Sequence, residues 1–68
     1  MRVEPLSRVA AEAELCRRHR MEFERLLKRM GRIEACQKLV SGHSKEYGAL
    51  VTAARDRLRA RAASQAVA

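Results

Sequence analysis

The chain has 68 residues, with 15 Lys or Arg against 8 Asp or Glu, and its formal net charge at pH 7 is +7. A chain of this length supports one domain at most and buries only about 60% of the surface that its unfolded form exposes. With one Tyr, one Phe and no Trp, it also lacks the large side chains that dominate most cores, so self-association would be a natural source of further stability.

The first predicted helix begins at Pro5, because proline suits a first helical turn and Glu4 beside it complements the helix dipole. One Pro and three Gly in the whole chain favour long helices over many short strands, which predicts an all-α protein. Apolar residues then follow three- and four-residue steps, a coiled-coil-like seam interrupted at Arg20. This seam contains Leu6, Val9, Ala13, Cys16, Phe23, Leu27 and Met30.

Beyond Met30 the apolar positions change register and continue as Ile33, Cys36 and Val40. Gly31 lies at this change and is compatible with a kink, with a break, or with an uninterrupted helix in which it costs about 1 kcal/mol relative to Ala. We expect the uninterrupted form, a long helix over residues 5–40.

The strongest turn signal is the Ser-Gly-His-Ser sequence at residues 41–44. Gly42 can take the left-handed conformation after a helix, and Ser44 can cap the next one. We therefore expect the chain to reverse here and residues 1–68 to form a single helical-hairpin domain. The second helix is predicted over residues 45–63, with residues 64–68 a frayed tail. Its apolar face contains Tyr47, Val51, Ala54 and Leu58, with Leu50 at the margin.

At about 1.5 Å per residue, the second helix would cover only residues 21–40 of the first. The N-terminal half would keep an exposed apolar stripe, and such stripes usually mark an interface. Because symmetric dimers are the commonest soluble oligomers, we predict a homodimer, arranged as a four-helix or coiled-coil-like bundle. Its predicted interface consists of Leu6, Val9, Ala13, Cys16 and Phe23.

A dense basic cluster occupies the middle of the first helix: Arg17, Arg18, Arg20, Arg25, Lys28, Arg29 and Arg32. Arginine can bind phosphates bidentately and release counterions, so nucleic acid is a physically sound partner. Against it, Glu22 and Glu24 interrupt the cluster and no aromatic residues are interleaved for base stacking. A solvated helix face explains the same residues. The predicted partner-binding residues are Arg17, Arg18, Arg25 and Arg29.

Two cysteines and two histidines, Cys16, His19, Cys36 and His43, have the donor types of a tetrahedral zinc shell. In a continuous first helix, however, Cys16 and Cys36 would stand about 30 Å apart, too far for one metal ion. The simpler interpretation is that the two cysteines pack as small buried hydrophobic residues and that the two histidines are solvated. No catalytic constellation assembles either, so we expect no enzymatic activity, no cofactor and no metal site, and a fold that needs neither metal nor disulfide.

The favoured function is that of a small non-enzymatic adaptor, regulator or inhibitor, which binds a larger protein with an acidic or apolar groove through its helical surface. Small proteins of this kind are often modulators encoded by phages and other mobile elements, which is an analogy only. The alternative is a basic nucleic-acid-binding helical dimer, such as a transcriptional or DNA-associated regulator. No apolar run of about 18 residues and no apolar signal region is visible, so a cytoplasmic protein without a membrane partner is expected.

Overall fold

The computed structural model describes residues 3–66, which form four α-helices. They are α1 (Val3–Arg18), α2 (Arg20–Leu27), α3 (Arg32–Gly42) and α4 (Ser44–Ala66). No strand occurs in residues 3–66, and the predicted all-α class is confirmed. None of these four helices is both long enough and apolar enough to cross a lipid bilayer.

The helices form two antiparallel arms that are joined at residues 28–31. α1 packs chiefly against α4, and α2 packs against α3. Glu4 in the first turn of α1 pairs with Arg55 of α4, whereas Arg18 at the end of α1 pairs with Glu46 near the start of α4. These two ion pairs show that α1 and α4 are antiparallel, and the molecule measures 48 × 20 × 15 Å along its principal axes.

The predicted continuous helix over residues 5–40 is wrong, because the chain leaves the helical conformation twice. His19 separates α1 from α2, with φ −114° and ψ 43°. Residues 28–31 then form the reversal, and Gly31 begins α3 in an extended conformation, with φ −67° and ψ 164°. The change of apolar register near Met30 therefore marks a reversal of the chain, and glycine's poor helix propensity favours it there.

The predicted reversal at residues 41–44 is also wrong. Gly42 is the last residue of α3, and no glycine in residues 3–66 has a positive φ. Only His43 interrupts the helical path, with φ −128° and ψ 44°. Backbone hydrogen bonds run from His43 N to Leu39 O and from Tyr47 N to His43 O, so α3 leads into α4 without a turn of the Gly-capped type.

The ends of the outer helices also differ from the prediction. α1 already includes Val3, the first residue that the structure describes, rather than beginning at Pro5. α4 continues to Ala66, so residues 64–66 of the predicted frayed tail are helical. The rest of that tail, residues 67–68, lies outside the described residues.

The core is built mainly from small side chains. Its fully buried members are Ala11, Leu15, Ala35, Leu39 and Ala54, together with Ser7. On α1 the buried positions 7, 11 and 15 follow four-residue steps, but none of them belongs to the predicted seam. Small residues allow α4 to approach closely, which the bulkier Leu6 and Val9 would prevent. The Ser7 hydroxyl is satisfied because it donates a 2.8 Å hydrogen bond to the Glu4 carbonyl oxygen.

This packing corrects the expected coverage of the helices. α4 lies along α1 and not along residues 21–40, so the N-terminal half of the chain has one covered side and one open side. The predicted apolar face of the second helix is confirmed: Tyr47, Leu50, Val51, Ala54 and Leu58 are all buried or half-buried.

Candidate functional site

The residues predicted to form a dimer interface lie on the open side of α1 and α2. We call them the apolar face, and its members are Leu6, Val9, Ala13, Cys16 and Phe23. Leu6 is 44% exposed and Val9 is 63% exposed, while Cys16 and Phe23 are half-buried. Val9, Cys16 and Phe23 line one surface groove, and Leu6 and Val9 line the neighbouring one. Residues of α3 and α4 form the other walls of these grooves, so the apolar face is open to solvent at Leu6, Val9 and Ala13 and partly covered at Cys16 and Phe23.

The structure divides the four predicted partner-binding arginines into two pairs. Arg17 and Arg18 both bond to Glu14, and Arg18 also reaches Glu46, with 3.2 Å between its Nη1 and the carboxylate Oε2. Arg25 and Arg29 instead line one groove around α2, and the ion pairs formed within residues 3–66 include neither of them. Arg25 and Arg29 are therefore the pair whose charge is available to a partner.

The two histidines meet where the two arms are interrupted. Their rings stack with centroids 3.9 Å apart and planes inclined by 18°. His19 Nε2 lies 2.7 Å from Oε1 of Glu46, and His43 Nε2 lies 3.0 Å from Oε1 of Glu22. Because a carboxylate only accepts hydrogen bonds, each Nε2 carries a proton and donates it in this arrangement. The interpretation of two unrelated solvated histidines is therefore wrong.

We call His19, His43, Glu22 and Glu46 the histidine cluster, and Glu46 accepts two hydrogen bonds in it. It accepts a hydrogen bond from His19 through Oε1 and one from Arg18 through Oε2. The bond from His19, followed by the bond from Arg18, holds the pKa of the Glu46 carboxyl below its usual range. The carboxylate is therefore ionised at neutral pH and places a fixed negative charge beside the stacked rings.

The two cysteines also come together, contrary to the wide separation expected for a continuous helix. Cys16 and Cys36 are free thiols that line the same groove. Burial, the Glu12 charge and then the proximity of Cys16 raise the pKa of the Cys36 thiol to about 11. Because the thiolate is the nucleophile, a thiol of this kind is poorly suited to nucleophilic chemistry at neutral pH.

Comparison with known proteins identifies no relative. No protein-family model matches the chain, and no curated protein or solved structure is significantly similar to it. The apolar face, the basic groove of Arg25 and Arg29, and the histidine cluster are therefore the features on which function can be argued.

Sequence reasoning found the two histidines but missed both of their carboxylate partners. In the sequence Glu22 stands out only as an interruption of the basic cluster, and nothing near Glu46 marks it as a hydrogen-bond partner. Both contacts join residues more than twenty positions apart, so only the packing of the two arms brings them together. No local pattern signals such a pair.

Proposed function

We propose that this chain is a small non-enzymatic binding protein of the cytoplasm, which forms a homodimer through the apolar face and binds an acidic protein through the groove of Arg25 and Arg29. The observation that carries the proposal is the exposure of Leu6 and Val9 on α1, whereas Ser7, Ala11 and Leu15 on the opposite side of that helix are buried in the packing of α1, which is chiefly against α4. Exposed apolar surface of this kind is characteristic of interaction sites.

Energetics support self-association. Three of the five buried apolar residues are alanines, which remove little apolar area from water. Full burial of a Val, Leu or Phe side chain contributes roughly 1.5–3 kcal/mol, a large fraction of the roughly 5–15 kcal/mol by which a typical domain is stable. Burying Leu6, Val9 and Phe23 in a dimer would therefore add substantially to a core that is small.

Charge complementarity favours a second copy of the chain as the occupant of the apolar face. The groove that contains Val9, Cys16 and Phe23 is bordered by Glu12 and by Arg32, and neither takes part in an ion pair within residues 3–66. In a two-fold interface each patch meets its own copy, so Glu12 of one chain can face Arg32 of the other. Opposite charges at the rim of an apolar centre set the register of such an interface.

The basic groove supports an acidic partner. Arg25 lies in the last turn of α2 and Arg29 in the reversal that follows it, and both line a groove with Leu26, which combines apolar surface with two guanidinium groups. Such a combination suits a helix or loop that carries both carboxylates and an apolar anchor. Glu22 lines the same groove and would oppose the uniform negative charge of a nucleic acid backbone. A protein partner is therefore favoured over nucleic acid, which remains the second candidate because of the net charge of +7.

The partner can be tested by charge reversal. We expect the double substitution Arg25→Glu and Arg29→Glu to abolish capture of protein partners from a cell lysate, with helicity unchanged, since exposed charge changes usually alter stability by about 0.5 kcal/mol or less. The measurement is a pulldown with and without nuclease at two salt concentrations. For an acidic protein surface, much of the loss should appear as slower, salt-sensitive association.

Lys45→Glu with Arg59→Glu is the matched control, because it makes the same change in net charge on exposed positions of α4. Glu at position 45 is also compatible with the first turn of that helix. This variant should capture partners normally. If nuclease removes the captured proteins, the nucleic-acid function replaces the proposed one, and if both variants bind equally well, the groove is only a solvated surface.

A further inference from the structure

The stacked histidines and their carboxylates form the one dense group of metal-binding donors in residues 3–66. One ring nitrogen of His19, one ring nitrogen of His43 and one carboxylate oxygen of Glu46 all lie within 4.8 Å of one another. We propose that these three side chains bind a zinc ion within a single chain, with a water molecule as the fourth ligand.

Zinc binding requires the two rings to turn out of their stacked arrangement, because the lone pair of each imidazole nitrogen lies in the plane of its ring and nearly parallel rings cannot both point at one ion. A tetrahedral zinc ion with Zn–N and Zn–O distances of roughly 2.0–2.2 Å holds its ligand atoms about 3.3 Å apart. His19 Nε2 and Glu46 Oε1 are already 2.7 Å apart, so their separation needs to widen slightly while the third donor moves inward. All three side chains are half-buried, which leaves a route for the ion from solvent.

The donor set selects for a borderline transition metal ion. Two imidazoles and one carboxylate suit zinc, whereas magnesium and calcium prefer shells made entirely of oxygen. Each histidine would bind as a neutral ring with its proton on the nitrogen that faces away from the ion. Zinc would then replace the His19 Nε2 proton as the bridge between that ring and the Glu46 carboxylate.

Neighbouring groups hold these donors in place. Arg18 bonds to Oε2 of Glu46, which leaves Oε1 available for one bond to the metal. Glu22 bonds to His43 Nε2 at 3.0 Å and adds a second negative charge beside the cluster. These local carboxylates offset the positive charge of the chain, and outer contacts of this kind commonly orient metal-binding histidines.

The site would also tie the two arms together. His19 and His43 are the residues at which α1 passes into α2 and α3 passes into α4, and their backbone dihedral angles differ by less than about 15°. A zinc ion bound to both rings would cross-link these two interruptions. Because the ion binds only the folded arrangement, it should raise the melting temperature, and the rise should grow with the logarithm of the free zinc concentration once that concentration exceeds Kd.

The test is calorimetric titration of chelator-treated, reduced protein with zinc chloride at neutral pH. We expect the metal-free protein to be helical already, and to bind one zinc ion per chain with a rise in melting temperature. His19→Gln and His43→Gln should each weaken binding at least about 100-fold, because loss of even an outer-sphere partner costs roughly 10–100-fold. Cobalt(II) in the same site should give d–d absorption bands without a thiolate charge-transfer band.

Two controls separate this site from the other donors. Glu24→Gln removes an exposed carboxylate that pairs with Arg20, and should leave affinity unchanged. Cys16→Ser with Cys36→Ser should also bind zinc normally. If a histidine variant loses its helical spectrum, Glu46→Gln provides the same test. Absence of saturable binding, one zinc ion per two chains, or loss of binding only in the cysteine variant would each overturn the proposal.

Discussion

Replacing Leu39 by Ala is expected to lower the free energy of unfolding by about 2–5 kcal/mol, because it leaves a cavity among fully buried side chains. Leu39 is 0% exposed, and among residues 3–65 it is one of two large apolar residues that are completely buried. For a domain of this size, each 1 kcal/mol corresponds to roughly 4–8 °C in Tm, so the melting transition should fall by about 10 °C or more. Circular dichroism during thermal unfolding at a fixed protein concentration measures the change.

Ile33→Ala is the matched control for this substitution. It removes an aliphatic side chain from the same helix, α3, but Ile33 is 76% exposed. Its effect should be within about 0.5 kcal/mol, as is usual for surface positions. If the two variants were equally stable, α3 would not pack through Leu39, and the arrangement of the two arms would be wrong.

Replacing Val9 by Glu is expected to convert the dimer into monomers. The substitution places a carboxylate in the proposed interface, where its removal from water on dimerisation is strongly unfavourable. Val9 is 63% exposed in the single chain, so the monomer itself should keep its helical content. Sedimentation equilibrium of the variant should give the mass of one chain where the parent protein gives that of two.

Met21→Glu makes the same chemical change at a residue that is 72% exposed and lies outside the apolar face. This variant should remain a dimer. A dimer that survives Val9→Glu but dissociates with Met21→Glu would place the interface on the other side of α2.

The helical class and the inner face of α4 could be read from the sequence, because both follow from simple patterns. Few Gly and Pro residues favour long helices, and Tyr47, Val51 and Leu58 recur at helical spacing on a helix that packs chiefly against α1. On α1 the same reasoning chose the wrong side. It weights large apolar residues such as Leu6 and Val9, whereas close helix packing here uses the smaller Ser7 and Ala11.

The sequence did not predict the position of the chain reversal, because two segments of the chain both contain residues that favour a turn. The Ser-Gly-His-Ser sequence offers turn-forming residues, whereas residues 28–31 offer only Gly31 among residues that favour helices. Packing determines where the chain reverses, because a reversal at residues 28–31 allows Leu15 of α1 and Leu39 of α3 to be buried completely. Tertiary contacts of this kind outweigh local propensity, and they also create the histidine cluster, whose partners are distant in sequence.

The central claim, that the apolar face joins two copies of the chain, is tested most directly by the mass of the unmodified protein in solution. Sedimentation equilibrium over a dilution series at micromolar concentrations should give twice the 7.7 kDa mass of one chain, with dissociation appearing only at the lowest concentrations. A mass of 7.7 kDa throughout the series would contradict the claim and leave the apolar face without its proposed occupant.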